Sequence, residues 1–240
     1  MSQPTSPTFD YIGQELDVFS KAVRWKAYWG GKLKPYMGRR VLEVGAGIGG
    51  TTRVLCTPAY DRWLAIEPDA KMVADLQARQ HAGEFAPNIE FRVATVQQLP
   101  AEERFDSILY IDVVEHIEDD RAELRAAVPH LAEGGHLIVL SPAYQFLYTP
   151  FDAAIGHYRR YTREMIRAIT PDGVRLVRAF HLDSVGLLAS LGNKVFLRAS
   201  QPTERQILLW DRVMVPASYL TDWLTGYRLG RSVIGVWQKT

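Results

Sequence analysis

Glu43, Gly45, Gly47 and Gly49 set a carboxylate just ahead of three alternating glycines, in the run Glu-Val-Gly-Ala-Gly-Ile-Gly, and Glu67 closes the next apolar run. Glycine at such positions allows positive φ and a close approach of backbone to ligand. Residues 41–44 read as a short buried strand, and the glycines as a turn into a helix that begins near Thr51. Strand, turn and helix N-terminus in that order build a nucleotide site in a doubly wound sheet. The spacing is Gly-x-Gly-x-Gly rather than the Gly-x-Gly-x-x-Gly of dinucleotide sites, although Gly50 stands where the third glycine of that pattern falls. An acid about twenty residues past the glycines, here Glu67, suits the two ribose hydroxyls of an adenosine moiety. A pyrophosphate favours bare amides at the turn. A zwitterionic amino-acid tail bearing a sulfonium also favours a nearby carboxylate such as Glu43.

A second gathering of reactive side chains lies in residues 141–161, with Tyr144, Tyr148, Asp152, His157, Tyr158, Arg159 and Arg160. Long loops beyond the carboxyl ends of parallel strands are where such sheets place substrate. Histidine titrates near neutrality, so His157 suits a general base with Asp152 as its orienting carboxylate; the same residues also serve to fold the loop. Arg159 and Arg160 suit a phosphate or carboxylate on a substrate, or are solvated charges. His116 reads first as a structural hydrogen-bonding residue and second as a catalytic base.

These features together resemble the class I S-adenosylmethionine-dependent methyltransferases, in which the glycine run is the cofactor loop and the acid after the second strand binds ribose. The pattern Phe-Asp-x-Ile-x-x-x-Asp-Val-x-Glu-His over residues 105–116 is similar to the fourth-strand motif of that superfamily. Residues 148–161 resemble a bacterial branch with a Phe-Asp and a Gly-His-Tyr-Arg-Arg-Tyr signature, often associated with glycosyltransferases. The resemblance covers residues 41–239 and implies S-adenosylmethionine as cofactor and S-adenosylhomocysteine as product. It implies cofactor contacts from Glu43, Gly45, Ala46, Gly47, Gly49, Glu67 and Pro68, with Asp112 facing the methyl group. Many relatives carry an Asp near the end of the third strand for the adenine. Here Thr95 stands there, so the contact is expected from its hydroxyl or from the Val96 backbone. Tyr144, Tyr148, Tyr158, Arg159 and Trp29 are the expected substrate contacts; His157, His116 and Asp152 are the expected catalytic residues.

The elements that must position these groups follow from periodicity. Ile12, Leu16, Phe19, Val23 and Tyr28 recur at helical spacing over residues 11–29, and Gly30, Gly31, Pro35 and Gly38 read as a loose link. Strands are predicted at residues 41–44, 63–66, 89–93, 105–111, 136–140, 174–180 and 232–237, and helices at 69–80, 119–131 and 162–169. Strands alternating with helices give an α/β fold with a parallel sheet. The resemblance makes it a Rossmann-like, doubly wound, seven-stranded sheet of order 3-2-1-4-5-7-6, with strand 7 antiparallel. An N-terminal helix precedes it, and a helical insertion at residues 184–230 precedes the last strand. That insertion, rich in Leu, Trp and Arg, reads as a lid over the site, a dimer interface or a membrane-lying surface. Arg228 and Arg231 read as solvated charges.

The chain has 240 residues, 47% hydrophobic and 23% charged, which suits a single domain spanning 1–240, with residues 1–10 disordered. Lys+Arg 28 against Asp+Glu 27 leaves a net charge of +1, without the electrostatic footprint of a nucleic-acid binder. The Pro-Pro-aromatic motif of nucleic-acid amino-methylating enzymes is also absent after the fourth strand, where Asp112-Val113-Val114 stands. One cysteine, Cys56, excludes an internal disulfide. No secretory leader and no long apolar span are read, so the expected location is cytoplasmic or peripheral on a membrane. No Cys/His cluster suggests zinc and no catechol-type Mg²⁺ arrangement is present, so no metal is expected. The expected function is methyl transfer to O or N of a small or lipid-linked acceptor, by a monomer or homodimer. The alternatives are a soluble natural-product or quinone-type methyltransferase, and a non-catalytic S-adenosylmethionine-binding partner of another enzyme.

Overall fold

The computed structural model describes residues 21–192 and 203–240. The expected disorder of residues 1–10, the first half of the N-terminal helix, and Val195 and Phe196 of the insertion lie outside the described residues. A seven-stranded sheet runs in the order β3-β2-β1-β4-β5-β7-β6. Its strands are β1 Arg40–Val44, β2 Arg62–Glu67, β3 Ile89–Val93, β4 Phe105–Ile111, β5 Leu131–Pro142, β6 Val174–Leu182 and β7 Ser232–Lys239. All neighbours are parallel except β7, which is antiparallel to both β5 and β6. The expected order and the direction of strand 7 are both observed.

The inner strands are apolar on both faces, as a sheet covered on both sides requires. Val41, Trp63, Ala65, Leu109, Ile138 and Leu140 build one core; Leu42, Val44, Leu64, Ile66, Ile108 and Tyr110 build the other. Helices α1 (Val23–Leu33), α2 (Gly50–Leu55) and α3 (Ala70–His81) contribute buried side chains to the first core. Helices α4 (Asp120–Ala127) and α6 (Arg163–Ala168) contribute to the second.

Helix α1 continues through Gly30 and Gly31, which corrects the reading of these glycines as a link. A Cβ on Gly30 would lie 2.9 Å from a methyl of Leu55, so the residue permits a close crossing of α1 over α2. That contact outweighs the roughly 1 kcal/mol by which glycine disfavours a helix interior. Strand β5 starts at Leu131 rather than His136, and α4 ends at Ala127, where Pro129 blocks its continuation. Gly134 and Gly135 sit inside the strand, where its register against β4 shifts. The segment after β5 is less irregular than expected: α5 spans Pro150–Ala154, and Ala143 bridges Tyr161, closing the excursion at its neck.

Between β6 and β7 lie α7 (Ser184–Gly192), α8 (Glu204–Leu209), a π-turn (Trp210–Met214) and α9 (Val215–Leu224). Two fully buried carboxylates tie this insertion to the sheet. Asp222 accepts from the backbone amides of Asp183 and Ser184, both 2.8 Å, and from the Tyr28 hydroxyl at 2.9 Å. Asp183 accepts from Trp210 Nε1 at 2.7 Å and Ser218 Oγ at 2.9 Å. Asp211 caps the start of α1, accepting from the amides of Arg24 (3.2 Å) and Trp25 (2.8 Å). The insertion and α1 are therefore one unit, lying over the edge of the first face.

Candidate active site

The crevice of a doubly wound sheet opens where strand order reverses, at the carboxyl ends of β1 and β4. Val44 and Tyr110 are register partners, so the loops that follow them leave side by side. Gly45, Gly47 and Gly49 all have positive φ, at 73°, 52° and 77°. At Gly45 a Cβ would stand 2.6 Å from Val113, in the loop after β4, so a side chain there would separate the two loops. Helix α2 starts at Gly50, one residue earlier than the sequence suggests. Glu67 accepts from the Gly47 amide at 3.0 Å and the Asp69 amide at 3.2 Å, which fixes its carboxylate against the glycine turn. Burial raises its pKa against these two bonds.

Glu43 points elsewhere. It alternates with Leu42 and Val44 and so faces the layer of α1 and α2, 2% exposed. Its Oε2 accepts from Thr52 Oγ1 at 2.7 Å and Trp63 Nε1 at 2.8 Å. Burial raises its pKa to about 7 despite these bonds. The expected direct contact of Glu43 with a cofactor is thus replaced by a brace between β1, β2 and α2. Ala46 is buried beside it, while Pro68 is exposed past the end of β2. Val96 is a core side chain, and the Thr95 amide donates to Gln98 Oε1 at 2.8 Å. Asp112, at φ 55°, opens onto the cleft just past β4. The surrounding protein desolvates it and pushes its carboxyl up to about 6, against the influence of His157, Arg231 and Lys26.

On the other wall, His157 and Asp152 meet as expected. His157 Nδ1 lies 2.9 Å from Asp152 Oδ1, with the two side chains 8% and 1% exposed. Burial opposes ionisation of Asp152, but hydrogen bonds from His157 and Arg160 outweigh it and hold the carboxyl well below its ordinary range. An ionised Asp152 accepts from the Nδ1–H of His157 and so fixes the orientation of the ring. Arg160 completes the group, with Nε 2.8 Å from Asp152 Oδ1 and a second nitrogen 3.0 Å from Oδ2. The His116 ring stands edge-on to His157, centroids 4.5 Å apart. Burial, then the neighbouring His157, lowers the His116 pKa to about 4, so it is neutral at ordinary pH.

Other expected substrate contacts separate. Tyr144 has φ 65° and stacks between Phe146 and His181, at 5.1 and 4.9 Å. The Tyr148 hydroxyl donates to the His157 carbonyl, and Tyr158 is 52% exposed. Arg159 is committed to the fold: it pairs with Asp120 at 2.9 Å and donates to the carbonyls of Ile117 and Glu118. Trp29 is 2% exposed in the first core, away from solvent. These two are corrections: tertiary contacts take both side chains.

Residues 42–139 match the protein family described as "Methyltransferase domain". Over that stretch the chain is similar to methyltransferase domains. Among curated proteins, the chain is 28% identical over 144 residues to a ubiquinone biosynthesis O-methyltransferase of Bradyrhizobium sp. (strain ORS 278), covering 56% of this chain and 54% of the relative. It is 35% identical over 103 residues to the protein of that name from Paramagnetospirillum magneticum, covering 43% and 40%. The chain thus spans roughly half the length of the curated relatives it matches. The solved coclaurine N-methyltransferase superposes with a TM-score of 0.61 at 14% identity, covering 91% of this chain and 72% of that one. NodS, an N-methyltransferase from Bradyrhizobium japonicum WM9, gives 0.58 at 16%, covering 91% and 88%. The [4+2]-cyclase SpnF gives 0.61 at 14%, covering 95% and 94%, so the same fold carries another chemistry.

S-adenosylmethionine is the cofactor that defines the class I methyltransferases, and the residues of this domain fit it. Glu67 retains lone pairs for a diol, and Asp112 presents a carboxylate to a cationic tail beside a turn that admits no side chain at Gly45. Three groups of the candidate site escaped the sequence reading. Glu115 is fully buried between the two walls, with Oε2 accepting from Ser141 Oγ at 3.0 Å. Arg231, read as solvated, lies over the Trp210 ring at 4.7 Å, and burial lowers its pKa against the charges of Asp183 and Asp112. Lys26 of α1 reaches the start of α2, its Nζ 3.0 Å from where a Cβ of Gly50 would be. Only the run Asp-Val-Val-Glu-His itself signalled Glu115; nothing local signalled the other two.

Proposed function

We propose that the protein transfers the methyl group of S-adenosylmethionine to an oxygen of a small or lipid-linked acceptor. The observation that carries this reading is the Asp152–His157 pair, in which a buried carboxylate orients an imidazole close enough to Asp112 to act on its carboxyl. When bound, the cofactor supplies a methyl carbon on a sulfonium, whose carbon–sulfur bond breaks as the acceptor oxygen attacks and leaves a neutral thioether. Such a leaving group asks little acid–base help, so alignment supplies most of the rate, up to about 7–11 kcal/mol for well-oriented reactants. A hydroxyl acceptor, unlike a thioether or a free amine, also has to lose its proton. His157 is placed to activate that hydroxyl, Asp152 and Arg160 hold it in one tautomer and orientation, and Glu67 and Asp112 orient the cofactor. The names of the curated relatives support oxygen as the acceptor atom.

The exposed apolar face of the insertion, with Leu220 60%, Trp223 65% and Leu224 66% exposed, supports a lipid-linked acceptor and peripheral contact with a membrane. Among the described residues no helix is long and apolar enough to cross one.

The test uses methyl-¹³C-labelled S-adenosylmethionine, the purified protein and an extract of cells that produce it. Label recovered as a methoxy carbon in the organic phase is the expected result. An N-methyl carbon in the aqueous phase would replace the acceptor class. No transfer to any fraction, with cofactor binding measured, would leave the protein a non-catalytic binding partner.

A further inference from the structure

Arg231 stands at the start of β7, which runs antiparallel to both its neighbours. Its first residues therefore lie at the carboxyl ends of the parallel strands, where such sheets place substrate. The backbone there is fixed on both sides. The Arg231 amide donates to the Asp183 carbonyl at 3.0 Å, just past β6, and its carbonyl accepts from the Ala143 amide at 2.7 Å, just past β5. A Cβ on the preceding Gly230 would overlap the Leu182 carbonyl oxygen, so only glycine brings the chain this close to β6. Among the described residues four non-glycine residues have positive φ, and three of them, Asp112, Tyr144 and Asp183, follow the ends of β4, β5 and β6. Backbone held in that region clusters at functional sites.

The side chain is held as firmly. Its guanidinium lies over the Trp210 ring, 4.7 Å from the centroid, and Trp210 in turn donates to Asp183 Oδ2 at 2.7 Å. Trp210 opens the π-turn, an irregularity found mostly at functional sites. A guanidinium stacked by its face keeps its edge N–H groups for a planar partner. Among the described residues those N–H groups meet no acceptor; the carboxylates of Asp183, Asp112 and Asp152 act on Arg231 from beyond hydrogen-bond reach. Asp183 is spent on Trp210 and Ser218, and Asp152 on His157 and Arg160. Burial works against the charge of Arg231, yet the residue stays partly exposed, so its donors open on a recess and not on sealed core. A charge so placed without a partner is costly, and a ligand that supplies the partner removes the cost.

We propose that Arg231 binds an anionic group of the methyl acceptor, a carboxylate or a phosphate, and so selects acidic acceptors. Both groups match the guanidinium fork through paired N–H···O bonds. An anion in direct contact gains more from that fork than it loses to the more distant carboxylates, and Arg160 adds a second cation nearby. The inference rests on the methyltransferase reading for its role and deepens it by naming the charge of the acceptor. Strand order separates this anion from the cofactor, since β4 and β5 lie between β1 and β7. Arg231 stands two strand spacings, about 10 Å, past Asp112, on the side away from the glycine turn. An acceptor lying across the end of β5 presents its nucleophilic oxygen near Asp112 and its anion to Arg231. Arg231 touches the acceptor and takes no part in making or breaking a bond.

The experiment titrates the ¹⁵N-labelled full chain, saturated with S-adenosylhomocysteine, with benzoate, phenyl phosphate and the neutral benzamide, and follows the arginine Nε–H signals by NMR. The Arg231 signal is assigned by its absence from Arg231→Lys. It should move saturably with at least one anion and stay in place with benzamide; the tighter anion tells carboxylate from phosphate. Arg231→Gln should weaken that binding at least about tenfold, read from the backbone amides of Ala143 and Asp183, and leave S-adenosylhomocysteine affinity within about twofold. Far-UV circular dichroism shows that the variant folds, and Arg231→Lys, which keeps the charge but loses the fork, should weaken binding by a smaller factor. Methyl-labelled product of the wild-type chain with cell extract should be retained by an anion exchanger at neutral pH. An Arg231 signal indifferent to both anions overturns the inference, as does an equal response to benzamide. Cofactor affinity that falls with anion affinity in folded Arg231→Gln overturns it too, by giving Arg231 to the cofactor's own carboxylate. A neutral methylated product overturns the charge of the acceptor while sparing the methyltransferase reading. Anion binding at Arg231 with no transfer to any acceptor upholds the site and removes that reading instead.

Discussion

Asp222→Asn tests whether the insertion holds α1 over the cofactor loop. The substitution keeps volume and shape but exchanges one accepting oxygen for a donating NH₂. Asp222 Oδ2 accepts from the Asp183 amide and the Tyr28 hydroxyl, and Oδ1 from the Ser184 amide. The least damaging orientation of Asn keeps its carbonyl at the Oδ2 position. It then loses the Ser184 bond and sets two N–H groups facing each other where no water reaches. A hydrogen bond to a charged group contributes about 1.5–3 kcal/mol, and a buried donor left unmet adds to that, so the expected loss is about 2–4 kcal/mol. In a domain of this size each kcal/mol lowers Tm by about 2–4 °C, which gives a fall of about 4–16 °C by circular dichroism. Because α1 also carries Lys26 to the start of α2, S-adenosylmethionine affinity by calorimetry should weaken several-fold. Trp223→Ser, at a 65% exposed position on the same helix, serves as control and should shift stability by no more than about 0.5 kcal/mol. An Asp222→Asn protein melting within about 1 °C of wild type, with unchanged cofactor affinity, would refute this account of how α1 is held.

Three other outcomes are expected. His157→Ala should leave cofactor affinity intact and lower turnover at least about tenfold, the low end for loss of a proton-transfer or activating group; unchanged turnover removes it from the site. Asp112, raised to about 6 by burial, should make cofactor affinity rise with pH between 5 and 7, since a cationic tail prefers the ionised carboxylate. The same shift works against the empty fold: the native state holds the proton more tightly than the unfolded chain. Its stability therefore falls as pH rises from the ordinary carboxylate range through about 6, then levels. Asp112→Asn should flatten both profiles, and an affinity profile unaltered by it would assign the titration elsewhere. Flotation with anionic liposomes should carry the protein upward at low salt, and Trp223→Ser should reduce the bound fraction; absence of co-migration argues for a lid or dimer role of that face.

The strands and their order were legible because buried parallel strands write themselves as apolar runs bounded by turns. The start of β5 was hidden because Gly134-Gly135 is a turn signal, yet here a register shift keeps both inside the strand. Gly30 misled for a related reason: its effect depends on Leu55, twenty-five positions later, and not on its neighbours. The cofactor loop was legible because backbone geometry dictates glycine there. Glu43 was seen as a functional acid, but strand alternation aims it at Thr52 and Trp63. Trp29 and Arg159 carry the right chemistry for a substrate contact, and only tertiary packing reveals that a core and an ion pair already hold them. Arg231 was obscure in the opposite sense, since Trp210 and Asp183 come to it from separate helices and strands.

The carboxylate that completes the start of α1 belongs to Asp211, 186 positions beyond the Trp25 amide it accepts. During synthesis at about 5–20 residues per second, some 10–40 seconds separate the two residues. Through that interval the glycine turn and β1 have left the ribosome while the helix that crosses them lacks its partner. The nascent chain is thus an uncovered cofactor loop waiting for its roof, and the roof is set by residues made long after the loop itself. Truncations that remove Asp211 should therefore unsettle the start of α1, far from the residues deleted.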